Sequence, residues 1–208
     1  MDEILRVTWT VTPLNPPLVW RNCPACRTAM PFASTGEFRT NAQKKRIDIW
    51  LIYRCGACDA RWNLPLFERI AVGDLPPDEF EAIAHNDPGA AARYAFELNR
   101  LARHSHRIEA SPGVSIGKHR SGSSFTAPML EIGIALLRPV QLRLDRVVAG
   151  ELGVARSRLQ TWLARGALRL EPDGTALRTH LADGQRIVID LSALDPEARA
   201  AVLARAGG

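Results

Sequence analysis

Two short stretches decide the reading of this chain: Cys23-Pro24-Ala25-Cys26 and Cys55-Gly56-Ala57-Cys58. They hold all four cysteines, with 28 residues between the pairs and no cysteine left over. Two such pairs can supply four thiolates to a tetrahedral Zn²⁺ at ~2.3 Å, and the small residues inside each pair let backbone amides turn toward the sulfurs. Two other chemistries share the spacing. A pair of disulfides requires an oxidising compartment, and a thioredoxin-type motif requires a βαβ setting that the flanking residues do not provide. The metal reading leads, with Cys23, Cys26, Cys55 and Cys58 as ligands and Zn²⁺ as a structural cofactor. Four thiolates fill the coordination sphere and leave no position for a catalytic water, so the ion is expected to hold the fold and do no chemistry.

Working outward, residues 46–54 (Arg-Ile-Asp-Ile-Trp-Leu-Ile-Tyr-Arg) are rich in β-branched and aromatic side chains and run straight into the second pair. Residues 60–67 can return as the hairpin partner, and Leu18-Val19-Trp20 leads into the first pair in the same way. Two cysteine turns closing on one ion describe an antiparallel β zinc ribbon. Residues 5–11 alternate apolar and polar with period two, as a half-buried strand does, before Pro13, Pro16 and Pro17 interrupt them. Trp9, Trp20, Trp50 and Trp62 all fall in this half and are expected mostly in its core. In a small module, ligation worth ~10 to 16 kcal/mol would decide whether the chain folds at all.

Residues 75–106 turn helical. Asp87-Pro88 offers an N-cap followed by proline at the first helical position, and Ala91, Tyr94, Ala95, Leu98, Leu101 and Ala102 keep helical spacing, which predicts one helix over 88–104. His104 and His106 suit a helix C-terminus without any ligand role. In residues 110–126, nine of seventeen are Gly, Ser or Pro, a composition that reads as a linker or mobile loop. The expected division is therefore 1–106 for ribbon and helix, 107–130 for the linker and 131–208 for a second small domain, with an α+β fold class. Asp195-Pro196 caps a final short helix.

Charge directs attention to that second domain. The formal net charge is +5, and 24 of the 27 basic residues are arginine, whose flat guanidinium donates paired hydrogen bonds to phosphate. Leu144, Val147, Val148 and Leu152 form the apolar stripe of one helix, ended by Gly153. A second helix over 155–165 turns Leu159, Trp162 and Leu163 one way and Arg158, Thr161 and Arg165 another, with Arg143, Arg146 and Arg156 flanking. Residues 154–169 hold four arginines and no acid, which concentrates positive potential where a phosphate backbone can dock.

The string Arg143-Leu144-Asp145-Arg146, then Arg156-Ser157-Arg158-Leu159-Gln160, Leu163 and Gly166, then Asp183-Gly184 before Arg186-Ile187-Val188-Ile189, resembles the alpha-L RNA-binding motif. That motif occurs in a small-subunit ribosomal protein, pseudouridine synthases and bacterial tyrosyl-tRNA synthetases. The resemblance spans about fifty residues and implies two short helices on a small sheet, with RNA backbone contacts at Arg143, Arg146, Arg156, Arg158 and Arg165. The chain departs from the motif at Ala167, where a basic residue is usual, and at Glu171-Pro172-Asp173-Gly174, which replaces an Asn-Gly turn. The first half has its own resemblance. Phe38-Arg39-Thr40-Asn41-Ala42-Gln43-Lys44, Ile47-Asp48-Ile49-Trp50-Leu51-Ile52-Tyr53, Trp62-Asn63 and both cysteine pairs are similar to a bacterial zinc-ribbon family known as domain of unknown function 1062. That resemblance covers most of the chain and implies no activity. Asn41, Gln43, Lys44, Lys45 and Arg46 read as a solvated hairpin tip or as a second RNA or protein contact.

These observations lead to a zinc-stabilised protein that binds structured RNA, ribosomal or transfer RNA, through a basic helix. A protein-protein adaptor with a structural zinc and a decayed RNA motif is the alternative. No paired carboxylate, Ser/His/Asp or Cys/His arrangement stands out, so no enzyme and no small-molecule substrate is expected. No run of 18 apolar residues occurs and the start is acidic, so a cytoplasmic protein with no membrane partner is expected.

Overall fold

A computed structural model describes residues 4–110, 113–121 and 127–207. Along the chain lie β1 (Ile4–Pro13), β2 (Leu18–Cys23), β3 (Thr28–Gln43), β4 (Arg46–Cys55), β5 (Arg61–Ala71), α1 (Pro77–Ala84), α2 (Pro88–Ala95) and α3 (Leu98–Ala102). There follow β6 (Arg107–Glu109), β7 (Val114–Ser121), β8 (Met129–Leu136), α4 (Leu144–Leu152), α5 (Arg156–Ala164), β9 (Leu168–Glu171), β10 (Arg186–Asp190) and α6 (Pro196–Ala206). Sheets and helices are both present, so the fold class is α+β. The chain divides into two compact units, Asn15–Ser111 and Met1–Leu14 with Pro112–Gly208.

The unit Asn15–Ser111 is built on an antiparallel sheet in the order β5-β4-β3-β2-β6. Period-two alternation in β4 sends Ile47, Ile49, Leu51, Tyr53 and Cys55 to one face, all buried, and leaves Arg46, Asp48, Trp50, Ile52 and Arg54 on the other. Helices α1 and α2 pack on the buried face, where Ile83, Ala91 and Ala95 meet Phe32, Leu51 and Leu64 in one core. The side chain of Asp87 accepts a hydrogen bond from the amide of Ala90 at 2.8 Å, and Pro88 sits at the first position of α2.

The other unit is a mixed sheet in the order β7-β1-β8-β10-β9, with β1 parallel to β8 and every other neighbour antiparallel. Leu5, Val7, Trp9 and Val11 alternate inward from β1 to meet Leu130, Ile132 and Ile134 of β8 and the inner faces of α4, α5 and α6. Trp9 is fully buried, and its indole N–H donates to the carbonyl of Ala206 at 2.8 Å. Gly153 ends α4 in the left-handed region at φ 67°, where a Cβ would run into the guanidinium of Arg205.

Several expectations change here. The strand at 5–11 belongs to the second unit and takes Trp9 with it, so the 1–106 division does not describe the fold. Trp20 and Trp50 are half-buried on the sheet face away from the helices. The proposed linker over 107–130 contains β6 and β7, and residues 111–112 and 122–126 of it lie outside the described residues. The helix expected over 88–104 is two helices, because Glu97 leaves the helical region at ψ 76°. Its carboxylate pairs with Arg100 at 2.7 Å, and Arg100 donates to the carbonyl of Leu66 at 2.8 Å, which ties α3 to β5.

Candidate metal centre and basic grooves

The first cysteine pair forms the turn between β2 and β3, and the second the turn between β4 and β5. Strand pairing sets Phe32 beside Cys55 and Thr28 beside Cys23, so both turns lie at the same end of one sheet. The turns share a backbone solution. In each, the residue after the second cysteine donates to the carbonyl of the first, Arg27 to Cys23 at 2.8 Å and Asp59 to Cys55 at 3.1 Å. In each, that residue takes positive φ, 57° at Arg27 and 59° at Asp59. The amide of Gly56 donates to Pro31 at 2.9 Å and fixes the second turn against β3.

This places all four sulfur atoms within 4.8 Å of one another. Across the turns, Cys23 Sγ lies 3.5 Å from Cys58 Sγ and Cys26 Sγ 3.9 Å from Cys55 Sγ. These are not disulfide distances, and all four are free thiols. A tetrahedral ion with ~2.3 Å bonds sets its sulfurs ~3.8 Å apart, so the donor set and its spacing fit such an ion. The electrostatics point the same way. Backbone amides, that of Cys26 foremost, hold the Cys23 thiol down at about 7 against the effect of burial. Hydrogen bonding to Cys58 and then burial push the Cys26 thiol up to about 12. The amide of Ala60 pulls Cys58 down, yet contacts with Cys23 and Cys55 and burial leave it raised. Cys26 and Cys58 thus resist ionising beside Cys23, and a bound dication is the charge that would permit it.

The arginines fall into two sets. Arg143 is held by Asp145, donating from Nε to Oδ1 at 3.0 Å and from Nη2 to Oδ2 at 2.6 Å, and Asp145 is buried at 2% exposure. That guanidinium is engaged in the fold. Arg146, Arg156, Arg158 and Arg165 are exposed, and among the described residues none makes an ion pair. Arg158 and Arg165 line a groove of about 660 Å³ with Ser157, Thr161, Trp162, Leu194 and Asp195. Arg146 and Arg156 line a second groove with Ala149, Gly150 and Val154. Of the two departures from the motif, Ala167 is almost wholly buried and lines the first groove with a methyl group in place of a charge, and Glu171 is paired with Arg186 at 2.9 Å.

Fold and site together define an α+β protein of two units, one with a four-cysteine cluster and the other with an arginine-lined helix pair. The family described as "Protein of unknown function (DUF1062)" matches residues 40–173, and the chain belongs to that family. The match takes in Cys55, Cys58 and all of α4 and α5, and begins after the first cysteine pair. No curated protein and no solved structure matches the chain. Among the described residues no helix is long and apolar enough to cross a membrane.

Proposed function

We propose that the cysteine unit is a zinc ribbon and that the other unit is an alpha-L-type domain that binds structured RNA in the cytoplasm, without catalysis. The observation that carries the reading is the placement of Arg146, Arg156, Arg158 and Arg165, exposed and without an ion pair among the described residues, in two grooves that flank α5. Cys23, Cys26, Cys55 and Cys58 would hold the ion, whose contribution is rigidity.

Binding of a labelled RNA hairpin, measured by anisotropy across a salt series, tests this. Four neutralised phosphates give a slope of log K against log salt of roughly −3 to −4. Arg158→Glu with Arg165→Glu should abolish binding, and metal analysis should find one zinc per chain. A salt-independent association, or none, rejects the reading. The adaptor alternative draws on Asp195, which puts a carboxylate on the rim of the α5 groove. Under it the double variant keeps its protein partner.

A further inference from the structure

The sheet of the cysteine unit carries α1 and α2 on one face only. On the opposite face the register sets Arg39 directly across from Trp50, and Arg54 directly across from Arg61. Arg39, Arg54 and Arg61 are exposed, and among the described residues none makes an ion pair. Like charges directly opposite on neighbouring strands destabilise a sheet, so the Arg54–Arg61 pair carries a cost that an anion would relieve.

Charge is also segregated within this unit. Residues 18–71, which contain the strands β2 to β5, hold nine Lys/Arg and four Asp/Glu, whereas residues 72–106, which contain the helices, hold three and six. The strand-bearing segment is therefore net basic and the helix-bearing segment net acidic, which favours approach of a polyanion to the strands. Asp48, an acid on the arginine face, is already engaged, accepting from the amide of Arg69 at 2.7 Å.

The two tryptophans on this face differ. The Trp20 N–H donates to Glu109 at 2.8 Å, and the Arg107 guanidinium lies 4.3 Å from its ring centroid while also pairing with Glu109 at 2.7 Å, a closed arrangement. Trp50 is half-buried, and its ring has the Arg39 guanidinium at 5.5 Å. A tryptophan face beside a guanidinium suits an unpaired base, since stacking tolerates any base and arginine adds a charge contact. Trp50 and Arg54 lie four residues apart on one strand, ~13 Å. That interval suits an extended strand of several nucleotides better than a lone mononucleotide. A duplex is a poor fit because its bases are already stacked on one another.

We infer that this sheet face binds single-stranded RNA, with phosphates at Arg54 and Arg61 and a base against Trp50 beside Arg39. The inference concerns a different unit from the helix reading and does not rest on it.

The test uses the full, metal-loaded chain and a labelled oligouridine of about twelve nucleotides. Arg54→Gln with Arg61→Gln, and separately Trp50→Leu, should each weaken oligouridine binding roughly ten-fold or more while leaving hairpin binding in place. Oligouridine should quench tryptophan fluorescence in the parent and much less in the Trp50→Leu variant. Because the arginines repel, the double glutamine variant should melt at or above the parent temperature. Absence of oligouridine binding, or equal binding by parent and double variant, overturns the inference, as does a large fall in melting temperature, which would show that the arginines serve the sheet. Loss of hairpin binding alone, on changing Arg158 and Arg165, bears only on the helix reading.

Discussion

The unit Asn15–Ser111 and the unit around β1 bury their side chains on different terms. Among the described residues the first has 16 buried members in its core, two of them cysteines of the four-sulfur cluster, and the second has 28 with no cysteine. A smaller interior leaves less hydrophobic stabilisation to set against chain entropy, so ligation of the proposed ion would matter more to the first unit than its strand count suggests. The second closes around Trp9 by packing and by the hydrogen bond from its indole to Ala206. The comparison teaches that one chain can place two arginine-bearing surfaces, each proposed above to bind RNA, on supports that fail under different insults.

The largest effect should come from removing the ion that the four cysteines are proposed to hold. A chelator, or Cys55→Ala, takes away ligation worth ~10 to 16 kcal/mol in small zinc modules. Amide hydrogen exchange should then lose protection across β3, β4 and β5 and keep it in β1 and β8. Equal loss in both units would break the comparison.

The mirror experiment is Trp9→Ala. It removes a fully buried ring and its hydrogen bond to Ala206, and should cost ~3 to 5 kcal/mol, seen as a lower midpoint for the β1 unit alone in a thermal scan that resolves two transitions. The zinc content should not change.

The smallest effects sharpen the contrast. Asp87 and Asp195 cap α2 and α6 identically, each accepting at 2.8 Å from the amide three residues on and each followed by proline. Either aspartate changed to alanine should cost about 1 kcal/mol. Calorimetry should assign the Asp87→Ala loss to the cysteine unit and the Asp195→Ala loss to the other.

Much of this was legible in the sequence, for stated physical reasons. The spacing of Cys23, Cys26, Cys55 and Cys58 constrains geometry so tightly that it marks both turns, and Asp-Pro caps announce helix starts. What escaped was pairing. The alternation of residues 5–11 says that a strand is half-buried but not which strands flank it, and both neighbours of β1 lie more than a hundred residues away in sequence. Strand β7 is hidden in the sequence because two of its inward positions carry Lys118 and Arg120, which breaks the apolar alternation of a half-buried strand. Lys118 is accommodated there by Glu151 at 2.9 Å, by the carbonyl of Arg205 at 2.6 Å and by the ring of Trp9 at 5.2 Å. The break at Glu97 left no trace because Ala95, Leu98 and Leu101 keep three-residue steps across it. Among the basic residues, nothing in the spacing separated Arg143, consumed by Asp145, from the four that stay free of carboxylates. The arginine face of the cysteine sheet became visible only through cross-strand register.

The pairing of Pro13 with Val114, and of Leu18 with Glu109, has a consequence for how the polypeptide matures. Each pairing brings together the two ends of a long excursion, so the cysteine-bearing portion is threaded into a hairpin of its host rather than appended to it. During synthesis β1 emerges first and waits for neighbours not yet translated, while the guest acquires its complete set of strands. A guest that has already drawn its ends together shortens the loop the host must close, so metal capture would hasten the assembly of a sheet that contains no ligand to the metal.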